Sequence, residues 1–150
     1  MLIRKFELRD SIEVSKLIRN AILNRDNRGY TIEQIFSICN HHSGENMMLD
    51  FDKKIGHVGI IDGKIIGVSM LREGEVTKVF IDPEYQGRGI GKQLMNLIEK
   101  EAINRGIRKL WLISSLPAIK FYENLGWKTV GDFFHEKWGK AVRMEKEVIR

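Results

Sequence analysis

The stretch from Ile81 to Met95, IDPEYQGRGIGKQLM, most narrows what this chain can fold into. Asp82-Pro83 ends a strand pattern, because proline has no amide to give to a ladder. Gly87, Gly89 and Gly91 follow, and an amphipathic helical pattern begins directly after them. Glycines admit left-handed backbone and let the chain approach a ligand closely. The first turn of a helix adds free amides at the positive end of its dipole. A strand, a glycine turn and a helix in that order predict a site for an anion. Two well-known phosphate loops do not fit the letters. The G-x-G-x-x-G turn would place its last glycine at Lys92 or Leu94, depending on the starting glycine. The G-x-x-x-x-G-K-S/T loop would begin at Gln86 and end at Gln93. Without a hydroxyl for magnesium, the turn suits a pyrophosphate held by amides better than a triphosphate undergoing transfer.

The rest of the chain reads as one α/β domain, and 150 residues are enough to bury a sizeable core. Met1 to Glu7 predicts an opening strand. Asp10-x-x-Glu13 predicts a capping box for a helix with Ile12, Leu17, Ile18, Ala21 and Ile22 along one stripe. Thr31-x-x-Gln34 predicts a second capped helix, and the polar segment from Asn40 to Lys54 shows no clear period. His57 to Ile61 and Lys64 to Leu71 predict a hairpin around Asp62-Gly63. Glu75 to Ile81 is the third strand of that run. A helix then extends to Gly106, with Leu94, Met95, Ile98 and Ala102 on its apolar side. Ile107 to Ser114, containing KLWLI, predicts a strand buried on both faces. A short helix from Pro117 to Asn124 and a closing pair, Trp127 to Phe134 and Lys140 to Val148, complete the order βααβββαβαββ.

The net charge of +5 is scattered over the sequence and predicts no nucleic-acid partner. One cysteine, Cys39, suits a reducing compartment and a core position. The opening residues lack the apolar stretch of a signal peptide, and Ile65 to Leu71 is far shorter than the ~20 apolar residues of a membrane span. The expectation is a soluble, cytoplasmic protein. His41-His42 are adjacent and join no Cys or His cluster, so no metal site is expected.

Gln86-Gly87-Arg88-Gly89-Ile90-Gly91 matches the Gln/Arg-x-x-Gly-x-Gly/Ala signature of the GCN5-related N-acetyltransferases, and VFIDPEYQGRGIGKQLM resembles that family's whole motif. AIKFYENLGW, Ala118 to Trp127, resembles the family's Ala-x-x-Phe-Tyr-Glu-x-x-Gly-Phe/Trp, and the terminal VRMEKEV resembles its last strand. The resemblance covers Lys54 to Val148; the residues before it fit through their helix count. It implies a mixed, mostly antiparallel central sheet with helices on both faces. It also implies acetyl-CoA as cosubstrate, with its pyrophosphate on the amides of Gly87 to Gly91 and Arg88 and Lys92 adding charge. The strand residues Val79, Phe80 and Ile81 would line the pantetheine, with the Val79 amide aimed at the acetyl carbonyl.

By the same resemblance Tyr122 is the general acid and Glu75 a candidate general base, with a water relay as the alternative. Ser115 stands where the family often has a pantetheine-binding asparagine, three residues before Ala118. Ser115 would equally serve as a helix N-cap. Glu33, Glu45, Asp50 and Asp52 are the acids available to attract a cationic amine. The acceptor is a primary amine: a polyamine or other small amine, an amino acid, a protein N-terminus or a lysine. A CoA-binding module without turnover is the alternative reading, and the family is compatible with a homodimer.

Overall fold

The computed structural model describes residues 1–149. Seven strands form one sheet: β1 (Leu2–Lys5), β2 (Lys54–Ile61), β3 (Lys64–Arg72), β4 (Glu75–Ile81), β5 (Lys109–Ser115), β6 (Lys128–His135) and β7 (Gly139–Glu147). Their spatial order is β1-β2-β3-β4-β5-β7-β6, antiparallel throughout except for β4 beside β5. The helices are α1 (Ser11–Leu23), α2 (Ile32–His41), α3 (Gly44–Met48), α4 (Ile90–Asn104) and α5 (Ile119–Asn124). The expected order holds apart from α3, a single turn inside the polar segment. Ser43 caps it by accepting from the Asn46 amide.

Side-chain pattern decides which helix covers which face. Val14, Ile18 and Ile22 of α1 pack with Val58, Val68 and Met70 on one face. Met95, Ile98 and Ala102 of α4 pack with Leu71, Leu110, Leu112 and Met144 on the other. Each fully buried Val, Leu, Ile or Met among them contributes about 1.5–3 kcal/mol of transfer free energy. The hairpin turn at Asp62-Gly63 has φ of 51° and 74°, the paired left-handed conformation that favours this dipeptide.

Two local readings are corrected. The capping box near the first helix joins Glu7 to Asp10, not Asp10 to Glu13. Asp10 is occupied by the Glu7 amide and by the Arg4 guanidinium, whose hydrogen bonds hold its carboxyl below the usual range. Glu13 instead accepts from the Ile65 amide at 2.8 Å, tying α1 to β3. β5 is not buried on both faces either. Leu110, Leu112 and Ser114 are buried, while Trp111 and Ile113 on the opposite side are half-exposed and line a groove.

Candidate active site

The only parallel pair in the sheet among the described residues is also a short one. β4 and β5 meet at one register position, Glu75 opposite Trp111, where the Trp111 amide donates to the Gly74 carbonyl at 3.1 Å. β4 stays paired with β3 as far as Ile81, and β5 stays paired with β7 as far as Ser115. Two supported strands therefore separate from each other toward their C-terminal ends. The Asp82 amide donates to the Ile66 carbonyl of β3 at 2.8 Å. Backbone groups alternate sides along a strand, so Phe80 faces β3 while Val79 and Ile81 turn their amides into the gap.

A groove of about 1580 Å³ fills this gap and continues onto the face that carries α2. At one end lies the glycine turn. Gly87 and Gly89 both have φ of 78°, and a Cβ on either would meet no atom within 4 Å. Gly89 is the left-handed N-cap of α4, with no side-chain cap and no acid in the first turn. The first helical bond is from the Gln93 amide to the Gly89 carbonyl, which leaves the amides of Ile90, Gly91 and Lys92 without a helical partner. Gly91 has a different duty. A Cβ there would lie 2.9 Å from the Phe121 ring, so glycine lets α4 and α5 approach.

Gln86 lines the groove with the glycines and Lys92, and its amide group reaches toward the Ile81 carbonyl at 3.5 Å. Arg88 does not line it; its guanidinium lies 4.9 Å over the Tyr85 ring. Ser115 and Ala118 line the β5 side. Ser115 occupies the N-cap position of the 3-10 turn Leu116–Ala118, but its side chain makes no capping bond. Tyr122 lines the groove at 8% exposure, with its ring edge-on to Phe121 and Trp127. Burial raises its phenol above the ordinary value, so it stays protonated at neutral pH.

The α2 side of the groove depends on a bulge. Met70 pairs with Lys78 and Leu71 with Val76, leaving Thr77 as the extra residue. Positions three apart on an uninterrupted strand face opposite ways, but this bulge puts Lys78 on the same face as Glu75. Glu75 is half-buried, and that burial raises its carboxyl above the usual range despite Arg72, Lys78 and Arg143 nearby. The Lys78 ammonium is 2.9 Å from His42 Nδ1, and burial lowers its pKa to about 8. Burial, with the Lys78 charge, holds the His42 imidazole well below its ordinary value. An ammonium has donors only, so Lys78 donates and Nδ1 of the neutral imidazole accepts. Phe80 packs its ring edge 5.1 Å from His42.

Sequence reasoning missed Lys78, His42, Arg25, Trp111 and Arg143, all of which line the groove. A lysine inside the otherwise half-buried strand EVTKVFI was the one available signal. Of the four acids expected to draw a cationic amine, Asp50 alone lines the groove, and Arg72 holds it at 3.0 Å. Among the described residues no group of three or more His, Cys, Asp or Glu is placed to hold a metal ion, and no helix is long and apolar enough to cross a membrane.

A family model for the acetyltransferase (GNAT) domain matches residues 23–148. The chain belongs to the GNAT family. It is 40% identical over 76 residues to an N-terminal acetyltransferase B complex catalytic subunit of Arabidopsis thaliana, a match covering 47% of this chain and 42% of that relative. The chain spans less than half the length of the curated relatives it matches, between 19% and 42% for the first of them. Solved GNAT structures share the fold at low identity. A GCN5-related N-acetyltransferase from Rhodopseudomonas palustris superposes with a TM-score of 0.87 at 18% identity, covering 97% of this chain and 94% of that one. The PaiA N-acetyltransferase of Thermoplasma acidophilum, solved with coenzyme A, gives 0.76 at 21% identity over 98% and 99% of the two chains. The GNAT match begins at Leu23, so it takes in α2 and the early region as well as the two motifs.

Proposed function

We propose that this GNAT chain is an acetyl-CoA-dependent N-acetyltransferase that passes the acetyl group to a primary amine by direct attack in a ternary complex. One observation carries the reading: the separation of β4 from β5 leaves the Val79 and Ile81 amides without a strand partner, beside the open N-terminus of α4. That arrangement fits a ligand with an extended amide-bearing arm and a pyrophosphate end. The arm adds to the sheet edge through Val79 and Ile81, as an extra strand would. Amides from Gly87 to Gly91 take the pyrophosphate, with Lys92 contributing charge from α4. Ser115 and Ala118 bound the arm on the β5 side.

The chain's own groups then divide the chemistry. The Val79 amide, fixed before reaction, stabilises the charge that develops on the acetyl oxygen. Glu75 takes the proton that the amine must lose, directly or through water, and burial makes its carboxylate a stronger base than an ordinary glutamate. Tyr122 donates to the departing sulfur. Because burial raises the phenol, and a thiol titrates near about 8.5, Tyr122 acts mainly as a hydrogen-bond donor to developing thiolate.

The test is thiol release from acetyl-CoA over a panel of amines, with acetyl-CoA binding measured beside it. Amine-dependent release supports the reading. Tight binding with no release for any amine would leave the CoA-binding module instead.

A further inference from the structure

α2 crosses the groove as a strap tied at both ends. Just before its first turn, the Tyr30 hydroxyl donates to the Lys140 carbonyl of β7 at 2.7 Å. The same hydroxyl accepts from the amide of Leu116, one residue beyond β5, at 3.1 Å. Just after its last turn, His42 Nδ1 accepts from the Lys78 ammonium of β4 at 2.9 Å. A gap that takes one added strand is two strand spacings wide, about 10 Å. The 10 residues of α2 extend about 15 Å. The helix is long enough to reach from the β5 side to β4, and it does.

The strap is also fastened along its length to the turn between β6 and β7. Gly139 has φ of 84°, and a Cβ there would lie 2.9 Å from the Gln34 side chain. Further along, the Trp138 ring stands 4.4 Å from His41 and stacks on His135 at 3.9 Å. Trp138, Gly139, Lys140 and His41 all line the groove. Sheet, strap and turn thus bound its α2 side below, above and along one flank. The way in is the end beside Glu75 and Trp111, since the cosubstrate takes the end toward Ile81.

Depth then sorts amines. Glu75 and Val79 are four positions apart on β4 and one is spent on the bulge, so about 10 Å of strand separates the entrance from the Val79 amide. A lysine side chain, five single bonds of about 1.5 Å each, reaches about 6 Å from its Cα. With its backbone outside the entrance, that amine stops short. Brought inside, a lysine within a chain needs room for backbone in two directions, and the flank where α2 meets the β6–β7 turn gives none. A chain end needs room in one direction, and a small amine needs less.

We propose, resting on the acetyltransferase reading above, that the α2 strap and the β6–β7 turn select the acceptor by shape. Its primary amine stands at a free end, either of an unfolded chain or of a small molecule, and a lysine within a chain is excluded. Tyr30 and Trp138 set this specificity by holding the roof, without touching the reacting atoms.

The experiment compares kcat/KM for a lysine-free peptide with a free N-terminus, the same peptide N-acetylated and carrying one lysine at its middle, and spermidine. The better of the two free-ended acceptors is expected to exceed the mid-chain lysine by at least about tenfold. Peptide against spermidine separates the two sources of a free end. In Tyr30→Phe and Trp138→Ala that ratio falls toward one through faster use of the mid-chain lysine, while acetyl-CoA titration is unchanged. Hydrogen exchange of the α2 amides, measured on the protein alone, is expected to quicken in both variants. Equal use of the mid-chain lysine by the parent overturns this inference and leaves the acetyltransferase reading in place. So does selectivity that survives quickened exchange, or exchange that does not quicken in either variant. Absence of transfer to every amine overturns that reading and this inference together.

Discussion

The two ends of the groove are built from different materials. The glycine end uses backbone: unpartnered amides of β4, the bare N-terminus of α4 and glycines held in left-handed conformations. The α2 end uses side chains brought from four separate places, Arg25 after α1, His42 after α2, Lys78 on β4 and Arg143 on β7. Backbone sites are rigid and indifferent to most substitutions nearby, provided the glycines stay. Side-chain sites are retuned by single substitutions. Under the proposed function, the first end takes the invariant cosubstrate and the second the acceptor.

The harshest way to break this contrast is Gly91→Val. Its Cβ would enter the Phe121 ring, and overpacking of that kind costs about 1–3 kcal/mol. Calorimetry is expected to show acetyl-CoA affinity reduced by at least about tenfold, with a lower Tm. Tyr122→Phe leaves the packing and removes the donor. A fixed donor to developing negative charge contributes about 10²–10³-fold, so kcat is expected to fall by about 10²-fold with acetyl-CoA affinity little changed, as single-turnover kinetics would show.

Glu75→Gln tests the join between the two ends. Activity that needs the ionised carboxylate rises with pH through a value above the ordinary 4.5, and the glutamine variant should lose that limb of the pH–rate profile. The sign for stability runs the other way. A carboxyl whose folded pKa is raised is bound more tightly to its proton in the folded state, so its favourable contribution is complete below the unfolded pKa. That contribution is lost as pH rises through the folded value. The glutamine variant is therefore expected to be slightly more stable than the parent at neutral pH in denaturant melts.

The mildest prediction concerns Thr31, which caps α2 through a reciprocal pair with Gln34 at 3.0 and 3.1 Å. Thr31→Ala should cost about 1 kcal/mol and a few degrees of Tm. Because α2 carries His41 and leads into His42, the amine KM should move while acetyl-CoA affinity stays. A change in acetyl-CoA affinity instead would mean that the two ends are not separable.

The same contrast explains what could be read from the letters. The glycine end is contiguous in sequence from Ile81 to Lys92, and its spacing survives translation into structure because backbone geometry depends on local residues. The Thr31–Gln34 cap and the Asp62-Gly63 turn were legible for that reason. Lys78 and His42 are 36 residues apart, and their contact depends on a bulge at Thr77 that changes the face of every later residue on β4. Nothing in strand periodicity announces that extra residue. The Asp10-x-x-Glu13 reading failed for a related reason: Arg4 and the Ile65 amide, from other elements, claimed both carboxylates. His41-His42 were judged only as metal ligands, and the neutral acceptor role of His42 follows from burial that sequence does not reveal.

The central claim is that the gap between β4 and β5, with the glycine turn at its end, binds acetyl-CoA. Calorimetric titration with acetyl-CoA, and separately with dephospho-CoA and NAD, tests it most directly. Micromolar binding of acetyl-CoA, stronger than that of NAD, is the predicted result. No binding of either CoA species would contradict the account and reduce the turn to a tight strand-to-helix connection.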